Sequence, residues 1–257
     1  MPYLMKKGFL YEIEDSFDLL MDFGVIFIGE EHGSRVSHHA ELTILKGLAE
    51  RDSKLVLALE MFERDVQDVL DAYLTGKISE KIFLKQSRPW PNYLEDYRPL
   101  IEFAKKKGLP VIAANIPRRG AAAVSMANKI SPDVLGKDGV YLPKTIYLKS
   151  KKYYKHFVSS VKEMPHFTPM KGINIEGLYK AQVLKDAVMA DSIEPFLHRR
   201  ILFCCGHFHS DYQLGIPYQL RKNHPQLKIA VIAMASAVEG LLMKDRSRVA
   251  DFIWVEE

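Results

Sequence analysis

Five of the nine histidines, His32, His38, His39, His207 and His209, fall in two short stretches of the chain, with acids nearby at Glu30, Glu31, Glu60 and Asp211. A neutral imidazole ligates transition metals and serves as a general base near pH 7. Glu30, His32, Glu60 and His207 are therefore read as a centre for acid–base chemistry, with Arg64 or Arg118 as the cation for a developing oxyanion. His32, Glu60, His207 and His209 also make a mixed nitrogen and oxygen ligand set for a divalent metal, with one position left for water. A plainer account stands beside these: Glu60 salt-bridges Arg64 or Arg118, and the histidines cap turns.

A second group of residues lies between Tyr141 and Met170. It holds Tyr147, Tyr153, Tyr154, Phe157 and Phe167, interleaved with Lys149, Lys151, Lys152 and Lys155, with His156 and His166 alongside. Aromatic faces with lysines could seat a flat dianionic ligand such as haem, with a tyrosine or histidine on the iron. An amphipathic helix with its lysines in water explains the same pattern. Further on, Tyr179, Gln182, Asp186 and Met189 recur at helical spacing and share one face. That stripe suits a solvated face and a pocket wall equally.

These residues need elements to position them. Short apolar runs at Val25–Ile28, Leu55–Leu59, Pro110–Ala114, Ile201–Cys205 and Ile229–Ala233 read as strands. Helical spacing separates most of them: His38–Arg51, Glu63–Leu74, and Leu94–Lys107, the last stopped by Gly108 and Pro110. Strands alternating with helices predict an α/β fold with a largely parallel sheet and right-handed crossovers. Between Gly120 and Arg199 the rhythm breaks into helices alone, at Ala121–Lys129, Lys144–Lys162 and Gly177–Leu197. This is read as a helical insertion (120–199) over one end of the sheet, within a single α/β domain spanning 1–257. Ligands of parallel sheets bind beyond the carboxyl ends of the strands. Four consecutive strand ends carry the chemistry: Glu30 to His32, Glu60 with Arg64, Asn115 to Arg119, and His207 to Asp211.

Composition narrows the classes of function. The chain is 47% apolar and 26% charged with a formal charge of only +4, which gives no electrostatic footprint for nucleic acid. Cys204 and Cys205 are adjacent in an apolar run and are expected to be buried, unpaired thiols, because neighbours in a strand point to opposite faces. The first residues hold no apolar stretch of signal-peptide length, and the run Ile229–Met243 is too short to span a bilayer. Cytoplasmic residence is the expectation, with envelope association if a leader has been removed.

Several stretches resemble the ChaN-like family. They are Gly29-Glu30-Glu31-His32, Leu59-Glu60-Met61-Phe62-Glu63-Arg64-Asp65, Tyr97-Arg98-Pro99-Leu100, Ala113 to Arg119, Tyr179 with Gln182, Asp186, Met189 and Ala190, Gly206-His207, and Gly215-Ile216-Pro217. They stand in family order over most of the chain from Gly24 to Pro217. The resemblance implies an α/β core with a helical part and, for some members, haem bound through tyrosine and linked to iron uptake. Tyr153, Tyr154 and Tyr179 are the candidates here, with haem between the insertion and the strand ends, alone or shared across a homodimer. More distantly the family is similar to Tiki/TraB proteins and erythromycin esterases, some of them hydrolases. Their Gly-x-x-His pattern fits Gly29 to His32; before His207 the glycine position holds Cys204, while Gly206 to His209 satisfies the pattern. Haem binding and metal-assisted hydrolysis are thus the two functions the residues leave open.

Overall fold

Buried parallel strands are apolar on both faces, and the five runs found in the sequence all become such strands. The computed structural model describes residues 1–148, 150–163, 174–236, 239 and 243–256; Lys149, His166 and Phe167 of the aromatic stretch lie outside them. The chain begins with β1 (Tyr3–Lys6), β2 (Phe9–Glu12) and α1 (Ile13–Leu20). There follow β3 (Val25–Glu30), α2 (Arg35–Arg51), β4 (Val56–Glu63), α3 (Gln67–Leu74), α4 (Glu80–Ser87), α5 (Arg98–Lys107) and β5 (Val111–Asn115). The insertion supplies α6 (Arg118–Ala127), α7 (Pro132–Leu135), α8 (Lys151–Glu163) and α9 (Ile175–Ile193). The chain then returns through β6 (Ile201–Gly206), α10 (Ile216–Asn223), β7 (Ile229–Met234), α11 (Met243–Val249) and β8 (Phe252–Val255).

Among the described residues eight strands form one sheet in the order β2-β1-β8-β7-β3-β6-β4-β5. The pairs from β8 across to β5 are parallel; β1 pairs antiparallel with β2 and β8. The fold is therefore α/β with a mostly parallel sheet, as the sequence implies. Alternate residues along each strand feed two cores. Ile26, Ile28, Leu57, Leu59 and Leu202 meet Ile44 and Leu48 of α2 and Leu100 and Ile101 of α5. Val25, Phe27, Val56, Ala58 and Phe203 meet Met189 and Ile193 of α9 and Ile216 and Leu220 of α10. Cys204 and Cys205, one on each face, are free and buried. Among the described residues no helix is long and apolar enough to cross a membrane.

The differences from the sequence reading have local causes. The amino-terminal hairpin and β8 are strands of four residues each, too short for a clear period, and Phe9 and Leu10 are exposed. The hairpin turns at Lys7 and Gly8, whose φ values of 50° and 87° are those of a two-residue primed turn. Helix α8 starts at Lys151 rather than Lys144. Gln219 holds the preceding chain extended, accepting from the Tyr147 N–H at 3.0 Å and donating to its carbonyl at 3.1 Å, and Ser150 then accepts from the Tyr153 N–H. Strand β4 runs past Glu60 to Glu63 through an irregularity in its pairing with β5.

Core packing yields a stability test at the crossing of α1 and α2. A Cβ on Gly47 would collide with the ring of Phe17, which is 1% exposed. Gly47→Ala gains about 1 kcal/mol of helix propensity, but overpacking a core costs about 1–3 kcal/mol. Chemical denaturation should show a net loss of stability; a variant more stable than its parent would mean that Phe17 moves aside freely.

Candidate functional site

The crossover leaving β3 runs through α2 on one face of the sheet toward β4, while the chain leaving β6 runs through α10 on the other face toward β7. β3 and β6 are neighbours, so their diverging exits open a crevice at a topological switch point. Residues at the two ends of this crevice come very close. A Cβ on Gly29 would lie 2.8 Å from Ser210 Oγ and 2.9 Å from His207 Cα, and one on Gly206 would lie 2.9 Å from His32 Nε2. Glycine at both positions is what lets the rim close up.

A cavity of about 380 Å³ occupies this crevice, lined by Glu30, His32, Gln182, His207, Phe208 and His209, with Phe157, Ser160 and Val161 of α8 as its outer wall. A second, more apolar cavity of about 520 Å³ shares Phe157, Val161 and Gln182 with it. Ala121, Met126, Leu178 and Ala181 line that one, and Arg118 and Lys185 bring two cations to it.

The period of two along the strands sends the two acids to opposite faces. Glu30 shares the face of Ile26 and Ile28. It is fully buried, accepts from Tyr97 Oη at 2.7 Å, and makes a short bond to His32 Nδ1. Burial acts to raise its pKa, but the hydrogen bonds from His32, Glu41 and Tyr97 outweigh it and hold the carboxyl below its ordinary value. His32 loses by burial and gains more from Glu30, so its pKa is raised. Behind this pair, on α2, His38 Nδ1 lies 3.0 Å from Glu41 Oε2 and 3.7 Å from Glu30 Oε2, and His38 Nε2 lies 3.3 Å from Asp96 Oδ2. Burial and the neighbouring Glu30 push Glu41 well up.

Glu60 shares the other face, with Val56 and Ala58. It accepts from the Gly206 N–H at 2.8 Å and faces His209 Nε2 at 3.2 Å. The other nitrogen of His209 lies 2.6 Å from Asp186 Oδ1 on α9, and Asp186 Oδ2 accepts from Tyr153 Oη of α8 at 2.6 Å. Burial opposes charging His209, yet Glu60 and Asp186 outweigh it and raise its pKa to about 10. Glu60 is raised by burial and lowered more by His209 and the Gly206 N–H, ending at about 2. Asp186, by contrast, is raised, with burial as the main cause. At the rim His207 Nδ1 pairs with Asp211 Oδ2 at 3.0 Å, which raises the imidazole.

The residues singled out from the sequence are thus distributed as follows. Glu30, His32 and His207 face the first cavity, with Glu60 behind Gly206 and His209. The Arg118 side chain lines the second cavity, and its backbone N–H donates to Glu63. Arg64 points away: it donates to Asp191 at 2.6 Å and lies over the Tyr141 ring in a separate cavity. Of the four metal candidates, His209 has both nitrogens engaged by carboxylates, while His32 and His207 each keep Nε2 toward the crevice once Nδ1 is held by its acid. Tyr153 is buried on Asp186, Tyr179 donates to the Leu148 and Ser150 carbonyls, and Tyr154 is 41% exposed. His39 is exposed and pairs with Glu256 away from the crevice. The partners Tyr97, Asp96, Glu41 and Asp211 carried no assigned role in the sequence; of these, Glu41 follows His38 by three residues on one helix face, and Asp211 follows His207 by four.

Residues 17–220 match the family model described as haem-binding uptake, Tiki superfamily, ChaN. The chain belongs to this family. Its fold is similar to the ChaN of Campylobacter jejuni, a structure described as cofacial haem binding, with a TM-score of 0.80 and 18% identity over 100% of this chain and 97% of that one. It is also 23% identical over 252 residues to Protein RETICULATA-RELATED 5, chloroplastic, of Arabidopsis thaliana, covering 91% of this chain but only 34% of that protein. The chain thus spans about a third of that relative's length. A MARTX toxin effector domain from Vibrio vulnificus aligns with a TM-score of 0.49 at 15% identity, over 88% of this chain and 36% of that one.

The ion triad makes a pH prediction. His209, raised from 6.5 to about 10, contributes its full stability below about pH 6.5 and loses it as pH rises toward 10. Glu60, lowered from 4.5 to about 2, contributes above about pH 4.5 and loses it as pH falls toward 2. Removing one partner of a buried ion pair costs about 3–5 kcal/mol. His209→Gln should therefore cost that much near pH 6 and flatten the alkaline fall in Tm. An unchanged alkaline slope in the variant would mean that another group titrates.

Proposed function

We propose that this chain binds haem at the two neighbouring cavities, as a haem-handling member of its family. The observation that carries this reading is the pairing of an apolar chamber, bearing Arg118 and Lys185, with a crevice rich in imidazoles through the shared wall of Phe157 and Val161. A porphyrin needs two broad apolar faces and cations for its propionates; these walls and these two side chains fit both needs. Bound haem would bring an iron centre that takes an oxygen or nitrogen ligand.

Tyr154 is the tyrosine best suited to that ligand role. Spacings of three and seven residues place it on the face of α8 that carries Phe157 and Val161. Tyr153 would have to give up its hydrogen bond to Asp186, and burial pushes its phenol well up. Tyr179 is held by two backbone carbonyls and pushed up to about 12, burial first. The exposed Lys151, Lys152 and Lys155 supply further positive charge at the wet edge of the helix, where each pair adds on the order of 1 kcal/mol or less.

Metal-assisted hydrolysis by Glu30, His32, Glu60 and His207 is the second reading. The observation in its favour is two imidazole–carboxylate pairs, His32–Glu30 and His207–Asp211, at one crevice. A carboxylate at Nδ1 leaves Nε2 as the basic atom, a protonation assigned from the partners. Arg118 lines the neighbouring cavity and Arg64 is bonded to Asp191, so neither cation named from the sequence lines this crevice.

A haem titration followed by visible absorbance separates the two. Tyr154→Phe should weaken haem binding by on the order of tenfold, about 1.4 kcal/mol, and alter the spectrum, while Tyr153→Phe and Tyr179→Phe keep the wild-type spectrum. Wild-type affinity and spectrum in Tyr154→Phe would remove tyrosine 154 as the ligand. Ester or amide hydrolysis lost in His32→Ala and His207→Ala, with no haem uptake by the parent, would establish the second reading instead.

A further inference from the structure

The helix-α2 side of the sheet holds a group of side chains of which Glu30 alone enters the second reading, and His38 and Glu41 enter neither. Glu30, His38 and Glu41 each offer one ligand atom such that all three atoms lie within 4.8 Å of one another. Two atoms on the same ion at bonds of about 2.1 Å lie about 3 Å apart at a right angle and about 4.2 Å apart when opposite, so the group would have to tighten by up to roughly 1 Å around one centre. The two carboxyls are fully buried and His38 is 8% exposed. Apart from the contact of the two acids with each other, Glu30 Oε2 and Glu41 Oε1 have no hydrogen-bond partner in this interior.

The surroundings orient each of these atoms. Tyr97 and His32 occupy Glu30 Oε1 and leave Oε2 turned toward His38. Asp96 Oδ2 lies 3.3 Å from His38 Nε2 without a hydrogen bond between them, and His38 Nδ1 faces the two glutamates, so an ion takes the Nδ1 lone pair once the imidazole proton sits on Nε2, toward Asp96. A carboxylate behind the far nitrogen of a ligating histidine is the usual outer support of a metal site. His38 and Glu41 come from one face of α2 and Glu30 from the end of β3, so the ligands sit on rigid elements. Glu30 has the His32 imidazole bonded to it as a partner, whereas Glu41 adds a second carboxylate beside Glu30 and Asp96 in a dry interior.

We propose that Glu30, His38 and Glu41 bind one first-row divalent cation, behind the crevice and separate from any haem. Two carboxylates, a neutral imidazole and a divalent ion sum to zero charge, which removes the cost of burying the acids unpaired. A set of two oxygens and one nitrogen suits manganese, iron(II) or zinc better than calcium or magnesium, which take oxygen ligands. The competing arrangement is a single proton shared between Glu30 and Glu41.

The test is the metal content of the purified full chain by elemental analysis, with haem iron counted separately from the pyridine haemochrome spectrum. About one ion per chain is expected, with a lower Tm after dialysis against a chelator and recovery on adding manganese, ferrous iron or zinc. His38→Gln and Glu41→Gln should each drop the content at least tenfold, and His207→Ala should keep it. Glu41→Gln mimics the protonated acid, so it folds even where His38→Gln does not. A wild-type chain with no ion and a Tm indifferent to chelator and to all three metals would overturn the proposal in favour of the shared proton. Content that follows His207 and ignores Glu41 would overturn it in favour of a site in the crevice. Haem titration of the same samples reads the other proposal independently, since haem binding and metal content can each fail alone.

Discussion

The placement of His209 between Glu60 and Asp186 is the contact on which the rest of the site depends. Glu60 belongs to the sheet and Asp186 to the long helix of the insertion, and Asp186 in turn holds Tyr153 of the outer helix. One imidazolium therefore ties three layers together. Without its charge, two carboxylates would face each other in a dry interior, and the attraction that seats α9 against the strand ends would become repulsion. Because α8 rests on α9 through Tyr153, the walls of both cavities, Phe157 and Val161 among them, are set by the same pair of ion contacts.

The alternation of a strand divides the acids of the site into two electrostatic compartments. On the α2 face the Glu30 carboxyl lies low and that of Glu41 high; on the α9 face Glu60 lies low and Asp186 high. On the α2 face Glu30 takes the nearby donors and Glu41 bears the cost of burial; on the α9 face both acids are bonded, and burial still outweighs the donors at Asp186. His32 and Gly206 bridge the two sides, His32 by bonding Glu30 while its Nε2 lies over the glycine whose N–H binds Glu60.

The extent to which all this was legible in the sequence follows from the range of each interaction. Central strands such as Val25–Ile28 and Ile201–Cys205 are buried on both faces, so they appear as uninterrupted apolar runs. The hairpin Tyr3–Glu12 and the strand Phe252–Val255 are short, and the hairpin is partly exposed, so they carry no such mark. That Glu30, His32 and His207 would gather at one rim could be inferred from the rule about strand ends. The pairings could not: Glu60 and Gly206 are 146 residues apart, and Tyr97 and Glu30 are 67 apart. Local spacing says nothing about such contacts. Arg64 illustrates the same limit, since β4 continues past Glu60 through its irregular pairing and carries the guanidinium round to Asp191.

The glycines at the crevice show why its chemistry is confined to the rim. Gly29 and Gly206 are adjacent partners at the ends of β3 and β6, Gly29 pairing with Cys205 and Glu30 with Gly206. Their missing side chains let His207 and Ser210 fold back over β3 and let His32 fold back over β6. The imidazoles are thereby drawn inward, each over the other's strand, instead of splaying with the diverging chains. A Cβ at either position would force one histidine outward and widen the gap between the two Nε2 atoms. Beyond the rim the Phe157–Val161 face of α8 closes the space, so a ligand that enters meets histidines on one side and aromatic or aliphatic surface on the other. That asymmetry suits a large flat molecule with a single coordinating centre better than a small polar substrate, which would leave the apolar wall unused.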